Sequence, residues 1–62
     1  MGAFEVITTD STSGRELDFK TCPTLDEART FAADHARKSP GQRVVVRDER
    51  SGTTLAMYRA VT

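Results

Sequence analysis

Cys22 and His35 are the only cysteine and the only histidine in the chain. A thiol activated by an imidazole is the obvious nucleophile that two such residues could make. Their spacing argues against it. A helix is expected to begin just after Cys22, and thirteen positions separate the two residues. At 1.5 Å of rise per residue that is about 20 Å, far beyond a hydrogen bond. Cys22 stands just before a helix N-terminus, a place that can lower a thiol pKa. With no base beside it, it is expected to be a small side chain in a loop. His35 follows Ala28 by seven residues and so falls on the same helical arc. It is expected to be a neutral ring at the margin of the core. One cysteine forms no internal disulfide, and one Cys with one His falls short of the four ligands of a structural zinc site. Neither a metal nor a cofactor is expected.

The carboxylates offer little more. Glu16 and Asp18 lie two apart on a short strand, with Glu5 in reach across the sheet. Acid–base work needs a cleft that drives their pKa values apart, and a flat sheet face provides none. The glycine-containing stretches "STSGRE" and "RSGTT" match neither the P-loop spacing nor the dinucleotide fingerprint. Both suit hairpin turns. The sequence therefore predicts no catalytic residue and no enzyme.

The basic residues point to a binding surface. Arg43, Arg47, Arg50 and Arg59 gather toward the C-terminal end with Tyr58 among them. A β-ribbon presenting arginine and an aromatic ring can hold nucleic acid. Asp48 and Glu49 interrupt that ribbon and would repel phosphate. Nine Lys and Arg balance nine Asp and Glu, so the composition gives no electrostatic footprint for a polyanion. Nucleic-acid binding is the second reading, behind protein binding.

These side chains must be positioned by a very short chain. Sixty-two residues, 1–62, make one compact domain. A chain of that length buries only about 60% of its unfolded surface and is marginal alone. Without disulfide or metal, a partner subunit is the remaining common support. The N-terminal "MGAFEVITTD" lacks the basic and apolar regions of a signal peptide, and Val6 stands where the myristoylation pattern wants Ser or Thr. No apolar run nears the length of a membrane span. A cytoplasmic protein away from membranes is expected.

Five elements follow from the pattern. Ala3 to Thr9 reads as a strand, "TDSTSG" as a loop, and Arg15 to Lys20 as a second strand with Leu17 and Phe19 alternating against Glu16, Asp18 and Lys20. Thr24 and Glu27 fit a helix capping box, and Pro40–Gly41 ends the helix. Between them Leu25, Ala28, Phe31, Ala32 and Ala36 share one arc. Arg43 to Asp48 is a third strand, "DERSGT" a turn, and Thr54 to Val61 a fourth. The expected fold is α+β, in the order β-β-α-β-β: two antiparallel hairpins meeting edge to edge in a four-stranded sheet, one helix on one face. In architecture it resembles the small β-β-α-β-β proteins of bacteria and their phages. The two hairpins are expected to be alike in architecture only.

The stretch "VVVRD" raises the functional question, because its strand is apolar on both faces. Simple alternation sends Phe4, Val6, Leu17, Phe19, Val44, Val46, Leu55 and Met57 toward the helix. It leaves Ile7, Arg43, Val45, Arg47, Ala56 and Tyr58 on the open face as the candidate interface, with the acids of the first hairpin beside them. A bulge between Gly52 and Thr54 would exchange the faces of the last strand and turn Tyr58 inward. The expected function is a small protein-binding module that self-associates as a homodimer through this open face, serving as a regulator or inhibitor of a larger protein.

Overall fold

The computed structural model describes residues 3–59. Its elements are β1 (Phe4–Asp10), β2 (Glu16–Cys22), α1 (Leu25–Lys38), β3 (Gln42–Asp48) and β4 (Thr54–Arg59). The expected run of the fourth strand to Val61 ends outside the described residues. One sheet has the order β2-β1-β3-β4 with every neighbouring pair antiparallel. The two hairpins meet through their first strands, and the single helix covers one side. This is the α+β fold expected from the sequence.

The helix begins where its cap predicts. Thr24 is extended (φ −127°, ψ 154°), and its Oγ1 accepts a hydrogen bond from the Glu27 N–H at 3.2 Å. Asp26 and Glu27 lie in the first turn and Arg37 and Lys38 in the last, each on the favourable side of the helix dipole. Ala28, Ala32 and Ala36, four residues apart, are all buried. They meet Val6, Val44 and Val46 of the two central strands, with Leu25 and Phe31 partly buried beside them. Small side chains on the helix let its backbone approach the sheet, and branched valines fill the pleated surface opposite.

Two sequence expectations about β2 and β4 are corrected. Leu17 and Phe19 do not face the helix, nor do Leu55 and Met57; they are the large exposed apolar side chains among the described residues. The reason is one bulge in each hairpin. In the first, Thr9 pairs with Glu16 but Thr8 with Asp18, leaving Leu17 without a counterpart. In the second, Arg47 pairs with Thr54 but Val46 with Ala56, leaving Leu55 without one. An extra residue reverses the parity of everything beyond it. Asp18, Lys20, Ala56 and Tyr58 therefore turn to the helix side. A third correction concerns Cys22, which ends β2 as a buried residue of the core rather than standing in a loop.

The hairpins also share more than architecture. An offset of 38 residues carries Asp10 to Asp48, Ser13 to Ser51, Gly14 to Gly52, Leu17 to Leu55 and Val6 to Val44. The loops are bonded alike. The N–H of Gly14 donates to Asp10 O and that of Gly52 to Asp48 O, both at 2.8 Å. Asp10 Oδ1 accepts from Thr12 N–H and Asp48 Oδ1 from Arg50 N–H. Ser13 Oγ accepts from Arg15 N–H and Ser51 Oγ from Thr53 N–H, both at 3.2 Å. Gly14 and Gly52 have φ of +75° and +73°, the left-handed region that favours glycine. The sheet thus has an approximate internal two-fold axis between β1 and β3, which the single helix breaks.

Candidate interaction face

On the side of the sheet away from the helix, the pairing register lines up one residue from each strand. Phe19 of β2 is opposite Ile7 of β1, Ile7 is opposite Val45 of β3, and Val45 is opposite Met57 of β4. An unbroken apolar row therefore crosses all four strands. The two bulge residues add Leu17 at one corner and Leu55 at the diagonal corner. Leu17 is 47% exposed, Phe19 48%, Leu55 44% and Met57 58%. Ile7, at the centre of the row, is only 9% exposed although it lies on the face away from the helix.

Polar residues rim this row at both ends of the strands. At one end Glu5 and Arg47 are directly opposite on β1 and β3. Arg47 Nε and Nη2 each lie 2.9 Å from Glu5 Oε1. At the other end Arg43 is directly opposite Arg59, with Thr9 and Glu16 completing that row toward β2. Two like charges face each other there, and the carboxylate of Glu16 stands on the far outer strand. Like charges directly opposite in a sheet are unfavourable unless something compensates them.

Four of the six residues expected at the interface are on this face: Ile7, Arg43, Val45 and Arg47. Ala56 and Tyr58 are not. Both pack against the helix-side core, and the Tyr58 hydroxyl accepts a hydrogen bond from Arg29 Nε at 3.3 Å. The residues that sequence reasoning missed are Leu17, Phe19, Leu55 and Met57. The signal that reveals them is the repeated pattern V-x3-D-x2-S-G-x2-L, which places both leucines in the same bulge.

Other chemistry-bearing residues lie elsewhere. His35 stacks on Phe31, with ring centroids 5.7 Å apart and planes 7° from parallel. Lys20 Nζ lies 4.6 Å from the centroid of that Phe31 ring, a cation–π contact across the gap between β2 and the helix. Cys22 and His35 stand toward opposite ends of the helix, as their spacing requires. Lys38 and Arg37 both pair with Asp34 on the outer helix surface and hold its carboxyl below the usual aspartate range. Among the described residues, no three or more His, Cys, Asp or Glu side chains cluster to hold a metal ion, and no helix is long and apolar enough to cross a membrane.

The chain matches no family model, no curated protein and no solved structure. What it does must be read from its own residues.

Proposed function

We propose that the chain is a small non-enzymatic binding module that self-associates through the open face of its sheet. The observation that supports this most is the in-register apolar row Phe19–Ile7–Val45–Met57 with Leu17 and Leu55 beside it. Two bulges turn these side chains away from the helix, although the helix-side core is small and built largely of alanine and valine. A folded chain gains nothing from displaying them to water.

The magnitudes favour association. Four large apolar side chains, each about half exposed, present roughly 400 Å² of apolar surface, near the largest patch usual on a monomer. Covering that area on each of two copies is worth about 20 kcal/mol gross at 25 cal/mol/Å². Association and ordering oppose it by roughly 4–15 kcal/mol. A second copy is a suitable occupant, because a patch that meets itself requires no second gene product and its polar rim holds both signs of charge. We place the protein in the cytoplasm, where a lone thiol such as Cys22 is kept reduced.

Sedimentation over a wide concentration range tests this reading. A dimer at micromolar concentration that salt does not weaken steeply is the expected result. A chain that stays monomeric at high micromolar concentration overturns it. Binding to nucleic acid that weakens steeply with salt would instead favour a phosphate-binding ribbon built on Arg43, Arg47, Arg50 and Arg59.

A further inference from the structure

The rim charges fix how two copies would face each other. Face-to-face sheets pack about 10 Å apart with their strands within about 30° of alignment. For an isologous pair the two-fold axis must lie in the plane between the sheets, either along the strands or across them.

An axis across the strands lays each strand over its own copy with the ends exchanged. Arg43 then meets Arg47 of the second copy, and Glu16 meets Thr21. Like charges are brought together and Glu16 finds no cation.

An axis along the strands, between β1 and β3, keeps the ends together and lays β2 over β4 and β1 over β3. Glu16 then meets Arg59 of the second copy, with Arg43 beside it. Glu5 meets Arg47, Phe19 meets Met57, and Ile7 meets Val45. Glu16, Arg59, Glu5 and Arg47 each face an opposite charge while Arg43 lies over Thr9, and Phe19–Met57 is a sulfur–aromatic contact of a favourable kind. Glu16 and Arg59 are on the two outer strands of one sheet, three strand spacings or about 14 Å apart. Within one chain they are too far apart to pair.

We infer that the open face is closed by a second copy related by a two-fold axis along the strands, with Glu16 of each copy paired to Arg59 of the other. This rests on the self-association proposed above and specifies its geometry. It also accounts for the side-by-side arginines Arg43 and Arg59, whose repulsion a partner carboxylate relieves.

The test is a complementary charge reversal. Glu16→Arg and Arg59→Glu are made separately; both positions are exposed, so the fold is retained. Each variant alone sets two like pairs against each other across the axis and should dimerise about tenfold more weakly or worse. Mixed in equal amounts, the two should form a heterodimer as tight as the wild-type dimer, because both interfacial pairs are then restored. Glu27→Arg mixed with Arg37→Glu, on the outer helix surface, carries the same net charges and should show no such preference. Native mass spectrometry and sedimentation read the species. A wild-type dimer whose single reversals dimerise normally, or whose mixture shows no preference over the control mixture, overturns this arrangement and leaves self-association standing. A wild-type chain that is monomeric throughout overturns both.

Discussion

Tyr58 and Arg29 join the last strand to the helix: the tyrosine hydroxyl accepts a hydrogen bond from the guanidinium Nε at 3.3 Å, while the ring packs on the core. Tyr58 thus supports the fold of the single chain. Tyr58→Ala should lower stability by about 2–3 kcal/mol, the usual scale for truncating an aromatic that is not fully buried. Tyr58→Phe keeps the ring and loses an exposed hydrogen bond, for about 0.5 kcal/mol. Denaturant midpoints with unchanged slopes check both.

Val45→Lys should act on assembly. Val45 is opposite Ile7 at the centre of the apolar row, where a charge would be trapped between two copies. Sedimentation should show monomer where the wild type is dimeric. The wild-type melting temperature should rise with protein concentration, and that of the variant should not.

Phe19→Ser separates the two faces from the other side. A ring in the helix-side core would cost several kcal/mol to remove. Phe19 is 48% exposed on the open face, so the isolated subunit should lose about 1 kcal/mol or less. The dimer dissociation constant should rise at least tenfold. Measuring monomer stability by dilution below the dissociation constant keeps the two effects apart.

Thr24→Ala removes the oxygen that accepts from Glu27 N–H and should cost about 1 kcal/mol. In a domain of this size that lowers the melting temperature by about 4–8 °C. Thr24→Ser, which keeps the acceptor, should restore most of it.

Gly14→Ala and Gly52→Ala should behave as twins. Their φ angles are nearly equal, and a Cβ at either position meets nothing within 4 Å. The penalty is therefore conformational alone, about 1–2 kcal/mol each. The glycines belong to different hairpin loops, so the double variant should be additive. Unfolding free energies that differ clearly between the two would contradict the equivalence of the loops.

Element order, the helix and its cap were legible because each has a local cause. Thr24, Pro40 and Gly41 act within a turn of where they stand, and the alanine arc is a matter of spacing. The central strands were also legible: β1 and β3 pair without a register shift, so simple alternation placed Ile7, Arg43, Val45 and Arg47 correctly. The outer strands were not. Alternation counts residues, and Leu17 and Leu55 are each one residue too many. Hydrophobicity alone then favours the wrong face, since leucine, phenylalanine and methionine look like core and alanine with a tyrosine does not. Only the repeated loop, with Asp10 and Asp48 bonded in the same manner, shows that the two errors are one error made twice.

The bulges have a consequence for how far assembly can proceed. A sheet with flat, regular outer strands invites another strand alongside, and the process repeats without limit. Here Leu17 and Leu55 each interrupt the ladder of an outer strand, adding local twist where a newcomer would have to pair. Asp18 and Lys20, both exposed on β2, place charge beside one of those borders. The same irregularities that gather the apolar residues onto one face thus discourage lateral polymerisation. In the proposed pairing, stacking uses that face once, and growth would stop at two.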